Sequence, residues 1–223
     1  MKSLCLALLS LFWVAYGADA QGSHQLGLMP SLNVNLKLPR DWSLNFKAES
    51  RQSLYQGDFD FDYLLTDLSL VASTRIRINT TLGGGYLTRI TPDDIRHRAI
   101  QQISFSRRYE FFRLAHRVSA DQTFGKLRSP EFRFRYRITS EIPLEGRTLD
   151  PKEFFLKISN EYLNAFQSGE YDLEIRTAAY LGYALNSSSK LEMGIDYRAD
   201  SFLSDSPRNR YWLGLNFFQS LGE

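Results

Sequence analysis

The sequence predicts an all-β chain: an antiparallel up-and-down transmembrane β-barrel of about 10–12 strands, preceded by a cleaved signal peptide. Three observations carry that prediction. From Leu26 to Phe217, apolar and polar residues alternate with the period of two that marks a strand with unlike faces. Turn residues interrupt the alternation at regular intervals, with short connections following longer ones. An apolar leader stands ahead of the first alternating segment.

The leader divides the chain into 1–20, a signal peptide, and 21–223, a single outer-membrane barrel domain. Lys2 supplies the positive start, and 4–14 is an apolar run too short to span a bilayer as a helix. Ala18-Asp19-Ala20 places small residues where a signal peptidase reads them, with Gly17 as a rival cut. Cys5 is the only cysteine and leaves with the leader, so the exported chain has no disulfide and no thiolate metal site. The leader holds one cation, Lys2, and one anion, Asp19, so its removal keeps the net charge at +2. A near-balanced charge argues against a nucleic-acid partner. No later stretch has the ~20 consecutive apolar residues of a membrane helix. Membrane entry therefore requires a closed sheet, because lipid cannot satisfy an open backbone edge.

The elements follow in order. Leu32, Val34, Leu36 and Leu38 alternate with Asn33, Asn35 and Lys37, and a turn is expected at 39–41. Trp42, Leu44, Phe46 and Ala48 alternate with Asn45, Lys47, Glu49 and Arg51, and 53–60 reads as a polar loop. Leu64, Leu68, Leu70 and Ala72 oppose Leu65, Asp67 and Ser69, with a tight connection near 73–74. Ile76, Ile78, Leu82 and Tyr86 oppose Arg75, Arg77 and Asn79. Gly83-Gly84-Gly85 lies inside this strand, with no helix after it, so it reads as a bend or a close approach of side chains across a narrow lumen and not as a phosphate cradle. After a loop at 88–95, Ala99, Gln101, Ile103 and Phe105 oppose Arg98, Gln102 and Ser104, and 107–110 turns the chain.

Leu114, His116 and Val118 then oppose Arg113, Arg117 and Ser119, and 121–129 reads as a loop. Phe132, Phe134, Tyr136 and Ile138 alternate with Arg133, Arg135 and Arg137, the most sharply two-faced strand of the chain. A connection at 142–152 leads to Phe154, Leu156, Ile158 and Tyr162, opposed by Lys157, Ser159 and Glu161. Beyond a loop at 164–170, Leu173, Ile175, Ala179 and Leu181 oppose Glu174, Arg176 and Tyr180. A turn at 186–189 precedes Leu191, Met193, Ile195 and Tyr197, opposed by Glu192, Asp196 and Arg198. A loop at 200–209 and the strand Tyr211, Leu213, Leu215, Phe217 complete the pattern. Eleven segments are counted, an odd number that sits badly with the even-stranded rule for bacterial barrels.

The apolar faces exclude charge, as a lipid face must when Lys or Arg at mid-bilayer costs about 2–4 kcal/mol. His116 and Asn160 are the polar exceptions, His116 being expected near a rim or bulge. The opposite faces define a lumen-facing network: Arg75, Arg77, Arg113, Arg117, Arg133, Arg135, Arg137 and Arg176, met by Glu49, Asp67, Glu161, Glu174, Glu192 and Asp196. Such long side chains predict a plugged lumen. Trp42, Tyr63, Tyr86, Tyr109, Tyr162, Tyr197, Tyr211 and Trp212 are candidates for interfacial girdles.

Several of these stretches carry a family likeness. The motif Arg133-x-Arg135-x-Arg137 with Pro143-Leu144, then Glu153-Phe154-Phe155 running to Asn160-Glu161, then Arg176 ahead of Leu181-Gly182-Tyr183, resembles the uncharacterised family called domain of unknown function 2490. Trp42-Ser43-Leu44 running to Glu49-x-Arg51, and His116-Arg117, add weaker matches. The resemblance implies an outer-membrane barrel, mostly from Bacteroidota, and implies no activity or catalytic residue.

Nothing in the chain assembles a catalytic site. A lipid-facing hydrolase wants His and Ser two residues apart on one strand face, yet His116 is followed on its face by Val118 and His97 by Ala99. His24, His97 and His116 are too scattered for a metal site. The expectation is a non-enzymatic protein without cofactor, in the outer membrane of a Gram-negative bacterium, serving envelope structure, loop-mediated binding or restricted passage. Its expected partners are outer-membrane lipids and, during biogenesis, periplasmic chaperones and the barrel-assembly machinery. The arginine ladder reads first as structure and second as an anion-selective wall. Two alternatives stay open: a membrane-embedded lipid-modifying hydrolase, and a secreted soluble ligand-binding barrel.

Overall fold

The computed structural model describes residues 23–126, 129–201 and 207–222. They form eleven strands: β1 (Ser23–Lys37), β2 (Trp42–Tyr55), β3 (Phe59–Arg77), β4 (Thr80–Ile90), β5 (Ile95–Arg108), β6 (Arg113–Phe124), β7 (Glu131–Pro143), β8 (Phe154–Gln167), β9 (Glu170–Ala184), β10 (Ser189–Asp200) and β11 (Arg208–Leu221). Sequential strands pair antiparallel, and β1 meets β11 to close the barrel. That last pair is parallel, in register from Ser23↔Arg208 to Leu36↔Leu221. An odd strand count leaves the first and last strands pointing the same way, so a parallel ladder is what closure requires; it leaves no edge. The proposed leader at 1–20 lies outside the described residues.

The barrel has two rims. Ser23 marks the N-terminal rim, with connections 56–58, 91–94, 125–130, 168–169 and 201–207. Leu221 marks the C-terminal rim, with connections 38–41, 78–79, 109–112, 144–153 and 185–188. The expected alternation of short turns and long loops is absent: connections at the two rims are of similar length, and the longest, 144–153, joins the C-terminal rim. The strands instead run further than expected. β3 passes through 73–74 and turns at 78–79. The loops expected at 88–95, 121–129, 164–170 and 200–209 shrink because β4, β6, β8 and β10 continue to Ile90, Phe124, Gln167 and Asp200. Polar residues there ended the strands on paper, but a ladder needs only backbone partners, and beyond an apolar band both faces can be polar. Between β8 and β9 two residues suffice, because Ser168 (φ 54°) and Gly169 (φ 84°) both adopt the left-handed conformation of a type I′ hairpin turn.

Between the rims, the outward rows of the described strands carry no Lys, Asp or Glu, and Arg only at Arg107, next to the C-terminal rim. Large apolar side chains stand exposed there, Phe134 at 49%, Leu181 at 50% and Leu215 at 49%, so the apolar surface of this fold is its outside. The polar outward residues pair with one another. Gln101 and Gln122 exchange two amide hydrogen bonds of 3.1 Å, and Asn160 Nδ2 donates to Thr177 Oγ1 at 2.9 Å. His116 is the fourth residue of β6 from the C-terminal rim, opposite Phe105 and Ile138, with no bulge at its position.

The interior is packed by a few aromatics set against glycine. Phe155 covers Gly182, Trp212 covers Gly27 and Tyr180 covers Gly214; a Cβ at any of the three glycines would collide with the ring. Trp212, 1% exposed, therefore faces inward and is not part of a girdle. Its even-numbered position puts it opposite Tyr211 on β11, and the missing side chain of Gly27 makes the room for it. At 83–85 the close approach is to the neighbouring strand and not across the lumen: a Cβ on Gly85 would meet the β3 backbone at Leu70 and Val71, whereas one on Gly84 would meet nothing closer than 3.8 Å.

Candidate functional site

The lumen is where the chemistry-bearing side chains converge. Across it, strand register lines up Arg117, Arg137, Glu161, Arg176, Arg198 and Arg210 as one belt of neighbouring positions from β6 to β11. Like charges so close are tolerable only if carboxylates interleave. Glu161 does so within the belt, accepting from Arg137 Nε at 2.7 Å and Arg176 Nη1 at 3.1 Å. Others come from rows above and below. Glu174 binds Arg176 side-on through two hydrogen bonds of 2.9 and 3.0 Å, and Asp196 accepts from Arg198 Nε at 2.6 Å. Asp200 meets Arg208 at 3.0 Å and also contacts Arg210. Glu49 bridges Lys47 and Arg51, Asp67 takes both Nε and Nη2 of Arg89, and Glu192 takes Lys157 at 2.8 Å. The three-arginine strand is shared among three acids: Arg133 and Arg135 both reach Asp121, at 3.0 and 2.8 Å, Arg133 also lies 3.8 Å from Glu131, and Arg137 reaches Glu161.

A cavity of about 1000 Å³ remains, lined by residues of both halves, from Asp172 and Arg208 near the N-terminal rim to Asn35 and Ser73 near the C-terminal one. Side chains therefore do not fill the lumen completely. Its N-terminal half is crowded with buried charge, including Arg51, Arg98, Asp121, Arg133, Arg198 and Asp200. Its C-terminal half is lined mainly by short polar side chains such as Asn33, Asn45, Ser69, Ser104 and Ser159. The short residues leave open the space that long ones would fill.

Of the residues expected to face the lumen, Glu49, Asp67, Arg75, Arg113, Arg117, Arg133, Arg135, Arg137, Glu161, Glu174, Arg176, Glu192 and Asp196 line this cavity. Arg77 does not; a register shift between Arg75 and Arg77 carries it to the exposed β3–β4 turn. Sequence reasoning missed Asp121, Arg89 and Asp200 by placing them in loops. It put Arg51, Arg98 and Arg198 on the right faces without drawing them into the network. Unbroken alternation was the available signal, in Arg96-x-Arg98 and in Asp196-x-Arg198-x-Asp200.

The charge is unevenly distributed around the wall. On β4–β7, Arg89, Arg96, Arg98, Arg113, Arg117, Arg133, Arg135 and Arg137 line the cavity, against Glu131 and Glu141 from the same strands and Asp121 behind them. On β8–β11 and β1–β3, eight cations face eight anions: Lys47, Arg51, Arg75, Lys157, Arg176, Arg198, Arg208 and Arg210 against Glu49, Asp67, Glu161, Asp172, Glu174, Glu192, Asp196 and Asp200. One side of the lumen is electropositive and the other neutral, although the whole chain carries only +2.

The profile of the family described as protein of unknown function (DUF2490) matches residues 26–222, from β1 to the end of β11. The chain belongs to this family. The DUF2490 unit is thus the whole barrel, seam included. No curated protein matches the chain. Among solved structures, the siderophore receptor PirA from Pseudomonas aeruginosa is similar at 15% identity and a TM-score of 0.37, over 85% of this chain and 37% of that one. The chain spans little more than a third of that receptor.

In this DUF2490 barrel no histidine of the described residues joins the lumen's ion pairs, although His116 borders the cavity. His116 Nδ1 is 2.8 Å from the Tyr136 hydroxyl on the outer face, His97 stacks on Tyr86, and His24 stacks on Tyr211. Among the described residues, no group of three or more His, Cys, Asp or Glu is placed to hold a metal ion.

Proposed function

We propose that this DUF2490 protein is a non-enzymatic outer-membrane barrel of a Gram-negative envelope that provides restricted passage for small solutes through its charged lumen. The observation that carries the reading is the inverted polarity of the fold. Apart from Arg107 next to the C-terminal rim, the outward rows of the described strands are free of charge and expose large apolar side chains, while the inward rows hold the ion pairs and the cavity. A soluble barrel would keep its apolar face inside. Lipid demands the reverse, together with a sheet that has no open edge. Outer-membrane lipids are then its surroundings, reached through periplasmic chaperones and the barrel-assembly machinery.

Fractionation tests the location. The full chain, expressed in a Gram-negative host, is expected with the outer membranes and to run faster unheated than boiled on a gel; recovery as a soluble periplasmic or secreted protein would refute the membrane reading. Planar-bilayer recording tests passage. Small, discrete conductance steps are expected, and a folded barrel that gives none would leave structure or loop-mediated binding as its role.

A further inference from the structure

The three lumen arginines without a carboxylate within 4 Å, among the described residues lining the β4–β7 wall, all lie on β5 and β6. Arg98 is 5% exposed, and its Nε donates to the Thr123 hydroxyl at 2.9 Å. Arg113 Nη2 donates to the Ser106 hydroxyl at 3.4 Å, and Glu141, its partner across the ladder, is paired with Lys190 at 3.2 Å. Arg117 is exposed although its row faces inward, so its guanidinium extends into the cavity. The other five arginines of that wall each have an acid: Asp67 for Arg89, Asp94 for Arg96, Asp121 for Arg133 and Arg135, and Glu161 for Arg137.

Their placement is axial. Arg98 sits opposite Thr123 on β6, so Arg113, Arg117 and Arg98 occupy three levels of the same wall. At about 3.4 Å per residue, Arg117 stands roughly 14 Å along the strand from Arg113 and roughly 20 Å from the level of Arg98. Arg135 and Arg133 on the next strand fill the longer gap, lying beside Ser119 and Asp121, and Arg137 lies level with Arg117. The Nε atoms of Arg133 and Arg135 are also buried without a hydrogen-bond partner. The wall therefore holds surplus positive charge and surplus guanidinium donors from one rim toward the other. Guanidinium forks match the paired oxygens of an oxyanion better than they match a spherical halide.

We infer that the β5–β6 wall binds small oxyanions of the phosphate class, with Arg117 as the central open site and Arg98 and Arg113 as the sites toward either rim. This rests on the barrel reading above but not on conduction. Weak, repeated sites along a narrow lumen are also what permits passage with selectivity.

The test is calorimetric titration of inorganic phosphate into the full chain folded in detergent, at constant ionic strength with chloride as the competing anion. Saturable binding is expected, reduced about tenfold or more in Arg117→Gln and Arg98→Gln, and unchanged in Arg77→Gln, whose side chain lies outside the cavity. Absence of saturable binding, or binding indifferent to Arg98 and Arg117, overturns the inference. Should Arg98→Gln fail to fold, the wild-type protein still decides: phosphate should slow phenylglyoxal modification of Arg117, read by mass spectrometry, and an unchanged rate counts against it. In bilayers under a potassium phosphate gradient, a reversal potential on the anion side supports the inference, and cation preference contradicts it. A barrel that binds phosphate but passes no current overturns restricted passage and leaves the oxyanion site standing.

Discussion

Phe134 and Arg135 are neighbours in sequence with opposite requirements. Phe134 stands 49% exposed on the outer face, and Arg135 turns inward to Asp121 at 2.8 Å. Phe134→Arg puts a charge where lipid should be, at a cost of about 2–4 kcal/mol near the bilayer midplane. Assembly of that variant, read as the heat-modifiable fraction in outer membranes, should fall severely. Arg135→Gln should assemble almost normally, because Asp121 keeps Arg133 at 3.0 Å and remains a paired, buried acid. Normal assembly of Phe134→Arg would mean that the faces are reversed. Both residues were legible from alternation alone. Asp121 was not: it follows Ser119-Ala120 and precedes Gln-Thr-Phe-Gly, a composition that reads as a loop. Only the ladder Asp121↔Arg133 makes it the acid at the centre of the three-arginine strand.

At the scale of elements, the seam between β1 and β11 is the joint on which closure depends. Its parallel ladder covers 23–36 against 208–221, and two features specific to it lie alongside. Trp212 fills the space over Gly27, and Ser31 Oγ donates to Asn216 Oδ1 at 2.6 Å in a buried pair. Deleting 208–223 removes β11 and exposes an edge on both β1 and β10. Lipid cannot satisfy those edges, so the truncated chain should lose heat-modifiable mobility and accumulate as aggregate. A truncated chain that still folds in membranes would show that β10 and β1 can close without it. The strand count was legible to within one, because each element carries its own alternation. The strand ends were not, since polar residues such as Arg89, Asp121 and Asp200 continue a ladder as readily as they begin a loop.

At the scale of the whole molecule, the outside is the apolar surface. Met193 and Ile195 are each 57% exposed, and Tyr86, Leu70 and Phe166 are about half exposed, on faces that no other element of the described residues covers. Refolding of the urea-denatured chain should therefore succeed in detergent micelles or lipid vesicles and give aggregate in buffer alone, followed by light scattering and by gel mobility. A monodisperse folded barrel in plain buffer would favour the soluble alternative. The uneven lumen also belongs to this scale, since it arises from which strands face one another and not from any single stretch.

By itself, the sequence determined the class of fold, the two-sidedness of the strands and the near-absence of charge on one side, because a period of two is a local property that survives without neighbours. Tertiary structure decided the parallel seam, the inward turn of Trp212, the placement of Asp121 and the cavity left between opposing walls. Those depend on register and on which strands meet, and register is settled by closing the whole ring: Asp67, Asp121, Glu161 and Asp200 find their arginines on other strands, and the arginines left over are visible only once every strand is in place.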